Sequence, residues 1–186
     1  MDTKKIGSQT IADFLKELSS AEPTPGGGSS AALAAGMAAS LIVMVANLTM
    51  GKKGYEGVSG EMKATKEEAE GYKNKLLNLA DEDALAFEEV MRQYKAEVKN
   101  QSGLQSALKH ATEVPLTSAK IAGRLVEMAK IVEEKGNKNA ISDARSAGYL
   151  AAAARSSAME NVRINLESVT DEEWKKDILA DCQASC

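Results

Sequence analysis

The sequence predicts an all-α protein, a single-domain antiparallel bundle of about six or seven helices over residues 1–186. The chain is rich in alanine, has only 3 prolines, and 4% of its residues are aromatic. This composition favours helices and disfavours a β-sandwich or barrel. Hydrophobic residues make up 44% and charged residues 27%, so a chain of this length buries a core rather than staying disordered.

Helical spacing of apolar residues, together with chain breakers, places the elements in order. An amphipathic helix at 8–20 and a Pro/Gly turn precede the most apolar helix, at 29–50, and a glycine-rich loop follows at 51–60. Further helices are predicted at 61–98, 102–113, 115–134, 142–167 and 171–181. Pro115 is expected to open its helix, Gly136 to end it, and Thr170 with Glu173 to form a capping box.

The helix at 29–50 lies in a stretch that carries no charge between Glu22 and Lys52. It is long enough to span a bilayer. However, it consists mainly of alanine and carries the polar residues Ser40, Asn47 and Thr49, which favours a buried central helix over a membrane span. Together with the alanine face at 147–158, it offers more apolar surface than a monomer needs to bury, so we expect a homodimer with one or both of these faces at or beside the interface.

Composition excludes several function classes. The net charge of -4 argues against nucleic acid as a partner. His110 is the only histidine, which excludes a His-rich metal site and any Ser-His catalytic pair that does not use it. Cys182 and Cys186 form neither a disulfide framework nor a zinc pattern. We therefore expect a cytoplasmic protein without a metal site.

A carboxyl group falls on the apolar stripe of the long helix. The stripe repeats at helical spacing: Leu76, Leu79, Phe87, Val90 and Tyr94. Asp83 lies on this stripe, where burial would raise its pKa and poise it for proton transfer. A structural acid bonded to another helix explains the pattern equally well. Asp81 lies about 160° round the helix and is expected to be an ordinary solvated acid.

Both ends of the apolar helix carry residues suited to anions. Its start, Gly26-Gly27-Gly28-Ser29-Ser30, offers free backbone N–H groups and a favourable helix dipole, or it is simply a close-packing cap. Beyond its end, Lys52 and Lys53 precede Tyr55. These lysines either bind a carboxylate or phosphate or only complement the helix C-terminus.

Polar residues flank a small-residue face on the helix at 142–167. The face consists of Asp143, Ala147, Ala151, Ala154, Ala158, Asn161 and Asn165. The alanines allow another helix to approach closely. The polar side chains either contact a ligand or satisfy backbone groups of neighbouring helices, and the residues alone favour the second explanation.

Six motifs follow one another along residues 8–175: Pro25-Gly26-Gly27-Gly28-Ser29, Leu48-Thr49-Met50-Gly51-Lys52-Lys53-Gly54-Tyr55, Asp83-Ala84-Leu85-Ala86-Phe87, Val114-Pro115-Leu116, Gly136-Asn137 with Ser142-Asp143, and Asn161-Val162-Arg163-Ile164-Asn165-Leu166. In this order they resemble the cyclodeaminase/cyclohydrolase family of folate one-carbon enzymes. One departure is the absence of the family's Leu-Pro-Lys turn, which leaves the segment 95–113 several residues short and the substrate choice open.

The resemblance implies an all-helical homodimer that acts on reduced folates, with Asp83 matching the family's catalytic aspartate. Cyclodeaminases close 5-formiminotetrahydrofolate to 5,10-methenyltetrahydrofolate and release ammonia, a reaction that needs no metal or redox cofactor. We expect this activity, with methenyltetrahydrofolate cyclohydrolase or a non-catalytic scaffold as alternatives. The expected substrate-binding residues are Gly27, Gly28, Ser29, Lys52, Lys53, Tyr55, Asn137, Ser142, Asp143, Asn161 and Asn165. Among them, the lysines and the glycine-rich start would hold the anionic glutamate tail.

Overall fold

A computed structural model describes residues 5–98 and 100–184 of the chain, and within them every regular element is helical. The α-helices are α1 (Ile11–Leu18), α2 (Gly27–Thr49), α3 (Ser59–Lys95), α4 (Gln101–Lys135), α5 (Ile141–Leu166) and α6 (Glu172–Ala184). Short 3-10 turns lie at Ile6–Ser8, Glu56–Val58 and Lys138–Ala140. The predicted all-α class is confirmed. Cys186 lies outside the described residues.

Helices α2 to α5 form the body of the protein. Helix α2 packs mainly against α3 and α5, and α4 packs mainly against α5 and α3 and also contacts α2. The start of α2 lies beside the end of α5, since Gly27 faces Asn161. Helices α2 and α5 therefore run antiparallel. The end of α2 lies beside the end of α4, since Val45 contacts Gly136. This arrangement puts one cluster of polar residues at each end of α2.

Helix α2 is long and apolar enough to span a membrane by length and composition alone, but 56% of its most apolar window is buried inside the protein. Ala32, Ala35, Ile42 and Val45 are among its fully buried residues. Burial to this extent is typical of a core helix and agrees with the sequence prediction.

Helix α4 runs unbroken from Gln101 to Lys135 with Pro115 inside it, so the prediction of two helices meeting at Pro115 is wrong. A proline within a helix lacks the N–H that would bond to the carbonyl four residues earlier, here that of Ala111. The side-chain amide of Asn165 donates to this carbonyl oxygen at 2.6 Å. Because α5 supplies the missing hydrogen bond, the helix continues through the proline.

Two further predictions need correction. The first residue of α6 is Glu172, and the cap is Asp171, whose carboxylate accepts from the Trp174 N–H at 3.1 Å. Thr170 is not the cap, and its N–H donates instead to the Gln105 side chain. The alanine face at 147–158 is not available to a partner, because its alanines are buried within the chain. Small side chains there allow α5 to pack closely on its neighbours.

Candidate active site

The carboxyl group of Asp83 lies against the first turn of α2. Its oxygen accepts a hydrogen bond from the Ser29 hydroxyl at 2.9 Å. A Cβ atom built on Gly28 would stand 2.0 Å from the Asp83 Oδ1 atom, so only glycine leaves room for the carboxyl. The glycine-rich start of α2 therefore accommodates an anionic group of the protein itself, at the positive end of the helix dipole.

Burial raises the pKa of Asp83 above the ordinary range of an aspartate, and hydrogen bonds from the Ser29 side chain and backbone oppose this rise. The helix N-terminus also favours the charged form. Among the residues that the structure describes, no cationic side chain contributes to the shift. Within this part of the chain, the site thus holds a carboxyl group of raised proton affinity without an ion-pair partner, which is the arrangement expected of a proton carrier.

A cavity of about 230 Å³ opens beside Asp83. Phe87 and Tyr94, predicted as part of the apolar stripe, are 37% and 46% exposed and line this cavity. Leu76 and Leu79 of the same stripe are buried in the core, whereas Val90 is buried and also borders the cavity. Ile164 of α5 lines the opposite wall. The sequence pattern did not separate core positions from cavity positions, since both are apolar.

Asn161 and Asn165 also line this cavity, and each amide already serves a backbone carbonyl. Asn161 donates to the Ser157 carbonyl of its own helix at 2.9 Å, and Asn165 donates to Ala111. A Cβ atom on Gly27 would stand 3.2 Å from the Asn161 amide nitrogen. Both amide N–H groups therefore satisfy backbone carbonyls, which is the structural role that the sequence favoured for these residues. The side-chain oxygen of each asparagine can still accept a hydrogen bond.

The second polar cluster lies where α2 ends. The Lys52 ammonium donates to the Asn137 side chain at 2.5 Å and stands 5.5 Å from the centre of the Tyr55 ring. Asn137 is buried and ties this end of α2 to α5, because its amide donates to the Leu48 carbonyl at 3.0 Å. Lys53 is exposed. Ser142 and Asp143 follow Asn137 closely in sequence and lie on the first turn of α5. The loop needs glycine at Gly51 and Gly54, which adopt φ angles of 73° and 89°.

The two clusters do not meet within one chain. Helix α2 has 23 residues, so its ends lie about 33 Å apart at 1.5 Å per residue. The expectation that Lys52, Lys53 and the glycine-rich start hold the same anionic tail is therefore wrong for a single chain. The helix that carries both motifs is itself the spacer between them.

A larger cavity, of about 510 Å³, lies on the other side of α3 and was not foreseen from the sequence. Its wall includes Asp81, whose carboxylate accepts from the Ile6 N–H at 2.6 Å. Asp81 is half-buried, so the prediction of an ordinary solvated acid is wrong. The N-terminal segment covers this face because Gly7 packs on Leu77.

The remaining titratable candidates lie away from the cavity of Asp83. His110 is about half-exposed and faces Glu82 at 3.5 Å, as expected for a surface residue. Cys182 is buried in a small cluster with Ile178 and Leu166. Among the residues that the structure describes, no three His, Cys, Asp or Glu side chains are grouped so that they could hold a metal ion.

Comparison with known proteins gives consistent results. The family model for formiminotransferase-cyclodeaminase matches residues 10–184. A methenyltetrahydrofolate cyclohydrolase of Methylorubrum extorquens is 38% identical over 184 residues, which cover 95% of this chain and 88% of that protein. The formimidoyltransferase-cyclodeaminase of Sus scrofa is 31% identical over 90% of this chain, but the match covers only 32% of that longer protein.

The fold has a close counterpart among solved structures. The crystal structure of formiminotetrahydrofolate cyclodeaminase from Thermotoga maritima superposes with a TM-score of 0.92 and 36% sequence identity. The match covers 97% of this chain and 89% of the other. The similarity therefore extends over the whole bundle, including both ends of α2.

Proposed function

The chain belongs to the formiminotransferase-cyclodeaminase family, and on this premise we propose that it moves protons at the one-carbon bridge of a reduced folate with Asp83 as the acid/base. The observation that carries this proposal is the Asp83 carboxyl, held against Gly28 at the start of α2 beside an open cavity. Its pKa is raised by burial and no cation neutralises it. A carboxyl group whose proton affinity is raised in this way is suited to take up and release a proton during a reaction.

The reaction that we propose first is cyclodeamination. The N10 amine of 5-formiminotetrahydrofolate attacks the formimino carbon and forms the new C–N bond. The formimino group reacts in its protonated form, so the attack leaves an amine on the tetrahedral carbon. Asp83 takes the proton from N10 and delivers it to this amine, which leaves as ammonia. One carboxyl group serves both steps in turn, and its charged form favours the cationic methenyl product. The reaction as written requires no metal or redox cofactor, and we place it in the cytoplasm.

The second candidate is methenyltetrahydrofolate cyclohydrolase, and the relative at 38% identity supports it. Here water adds to the methenyl carbon and Asp83 takes one of its protons. Asp83 then gives this proton to N5 as the bond from that carbon to N5 breaks, and the remaining hydroxyl proton is released to solvent as 10-formyltetrahydrofolate forms. The same carboxyl serves at the same carbon, so the residues around Asp83 suit either reaction. The reactions differ in the small partner, ammonia or water, and in direction, since the first closes the ring and the second opens it.

Near-ultraviolet absorbance of the methenyl group separates these activities. A cyclodeaminase produces the signal from 5-formiminotetrahydrofolate, and a cyclohydrolase consumes it from 5,10-methenyltetrahydrofolate. Release of ammonia, measured in a coupled assay, is expected only in the first case. A protein that changes neither absorbance nor ammonia would be a non-catalytic scaffold, which would overturn the proposed function.

We place the aromatic part of the folate in the cavity beside Asp83, where Phe87 and Ile164 provide apolar walls. Asn161 and Asn165 retain acceptor oxygens for the donors of the pterin ring. The anionic glutamate tail would pair with Lys52. Because Lys52 lies at the far end of α2, this last contact requires a second copy of the chain.

An exposed stripe on α2 supplies the surface for a homodimer. Met37, Met44 and Leu48 are 55%, 37% and 48% exposed, and Leu33 and Leu41 on the same face are half-buried. The stripe carries no charge along its length. A surface of this kind is typical of a contact between identical chains.

The spacing of the stripe suits an antiparallel pair of α2 helices. A twofold axis between Ser40 and Leu41 opposes Met37 to the partner's Met44. In the same register, Ser29 lies opposite the partner subunit's Lys52. Each active site would then combine Asp83 from one chain with the lysine cluster from the other.

Mixing two defective variants tests this composite site. Asp83→Asn and Lys52→Ala chains, unfolded and refolded together, form hybrid dimers in which one site keeps both residues. At subsaturating folate, random pairing should restore about one quarter of the wild-type sites. If the mixture only averages the two parents, both residues act within one chain. Sedimentation as a monomer at micromolar concentration would overturn the dimer itself.

A further inference from the structure

The hydroxyl group of Ser29 lies between two acceptors. Its Oγ atom stands 2.9 Å from the Asp83 Oδ2 atom and 2.9 Å from the carbonyl oxygen of Ala80, one turn earlier on α3. A serine hydroxyl has a single proton to donate. Ser29 is fully buried, so water does not take the place of either acceptor. The proton can therefore serve only one of these acceptors at a time.

We propose that Ser29 is a positioning residue for proton transfer, not a substrate contact, and that its hydroxyl turns between Asp83 and the Ala80 carbonyl as Asp83 loses and gains its proton. The proposal deepens the function proposed above and rests on it. When Asp83 is charged, the charge-assisted bond from Ser29 is the stronger of the two. When Asp83 is protonated, the hydroxyl turns to Ala80. Neither state leaves the buried donor without an acceptor, so the exchange requires little rearrangement.

The surroundings of Asp83 make Ser29 its main polar partner. Helix α2 presents Gly28 and Ser29 to the carboxyl, and the cavity walls from α4 and α5 contribute Leu108, Ala111, Asn161 and Asn165. All of these side chains are uncharged. The titratable neighbours on α3 and α4 are Glu82 and His110, which face each other at 3.5 Å, and Tyr94, which lines the same cavity as Asp83. Removing the Ser29 hydroxyl therefore removes a principal interaction that favours the charged carboxyl.

The test compares Ser29→Ala with Ser30→Ala. The Ser30 hydroxyl donates to the Gly26 carbonyl at 2.8 Å, so the control removes a hydroxyl from the same turn without touching Asp83. The first measurement is the titration of the Asp83 carboxyl carbon by NMR in the free protein. We expect its apparent pKa to rise by about one unit or more in Ser29→Ala, since a hydrogen bond to a charged group is lost, and to stay unchanged in Ser30→Ala.

The second measurement is the pH profile of kcat/KM, whose acidic limb should move upward by the same amount in Ser29→Ala. Ser29→Cys keeps a donor at this position, although a weaker and bulkier one, so it should lie between the wild type and the alanine variant in both measurements. An unchanged titration of Asp83, or a shifted titration with an unchanged rate profile, would overturn the role of Ser29. The NMR result does not depend on catalysis. Failure of the proposed function would appear separately, as an Asp83→Asn protein that keeps its activity.

Discussion

Both ends of α2 carry polar motifs, but the ionisable group at each end has different surroundings. At the start of the helix, the half-buried Asp83 carboxyl faces uncharged groups and has a raised pKa. At the end, the Lys52 ammonium is also half-buried and has the Asn137 oxygen and the Tyr55 ring as partners. A desolvated acid without a counter-ion is suited to exchanging protons. A lysine ammonium is suited to holding an anion.

This comparison assigns chemistry to one end of α2 and binding to the other. The two roles are separated in space because the part of α2 between its ends is apolar and packed in the core. It follows that changes at the start should affect turnover, whereas changes at the end should affect substrate affinity.

Apart from replacement of Asp83 itself, the largest effect is expected from Gly28→Ala. The added methyl group would fall 2.0 Å from the Asp83 Oδ1 atom, so the carboxyl or the first turn of α2 must move. A displacement of about 1 Å at a reacting group costs on the order of 10²-fold in rate. We expect kcat to fall at least this far and the melting temperature to drop. Gly36→Ala is the control on the same helix, where a Cβ atom meets nothing within 4 Å. Equal activity of the two variants would contradict the close fit at Gly28.

At the other end, Lys52→Ala should raise KM and leave kcat nearly unchanged. The tail contact is ground-state binding, so the increase should be greater for polyglutamylated than for monoglutamyl folate, on the order of 10-fold for a lost charged hydrogen bond. Steady-state kinetics with both substrates measures it. Lys63→Ala removes a surface lysine that pairs only with Glu67 at 3.9 Å, and it should change neither constant. A loss of kcat that is independent of tail length would assign Lys52 to the reacting centre.

A smaller effect concerns the wall of the cavity. Asn165→Ala leaves the Ala111 carbonyl without the donor that replaces the missing N–H of Pro115, and the free energy of unfolding should fall by about 1–3 kcal/mol. In a Pro115→Ala background the backbone N–H returns, so the same change should cost less. Urea unfolding of the four proteins gives the coupling. If the two substitutions change the free energy of unfolding additively, Asn165 does not compensate for the missing N–H of Pro115.

The smallest effect is on the pH dependence of stability. Because the pKa of Asp83 is raised by folding, the native state binds its proton more tightly, and this contribution to stability is lost as pH rises through the native pKa. Asp83→Asn removes the charged form. Its stability relative to the wild type should therefore increase with pH, by up to about 1.4 kcal/mol per unit of pKa shift. Denaturation at several pH values measures the difference, and a constant difference would argue against a raised pKa.

Helical periodicity predicted the class of the fold and singled out Asp83, because an acid on an apolar stripe is visible in the sequence. It also predicted a buried α2 and the glycine loop after it. Periodicity could not show that Pro115 lies inside a helix, since the compensating donor, Asn165, is 50 positions away in the chain. Local rules contain no information about such distant partners.

The grouping of the site residues was predicted only in part. Gly28, Ser29, Asp83 and Asn161 do come together, because α2, α3 and α5 meet at that end of the bundle. Lys52 does not join them in one chain, because motifs at the two ends of a helix are separated by its full length. Nor did the pattern show that Phe87 and Tyr94 line a cavity, since an apolar residue at helical spacing suits either a core or a binding site.

The central claim is that Asp83 carries the proton, and turnover of Asp83→Asn tests it most directly. The amide preserves size and much of the hydrogen bonding but cannot transfer a proton. A positioned acid/base contributes about 10²–10⁴-fold, so kcat should fall by this factor in a protein that remains folded. Asp81→Asn is the matched control, because an amide oxygen can still accept from the Ile6 N–H, and its kcat should stay near that of the wild type. Near-normal turnover by a well-folded Asp83→Asn protein would contradict the account and leave Asp83 as a structural acid that joins α3 to α2.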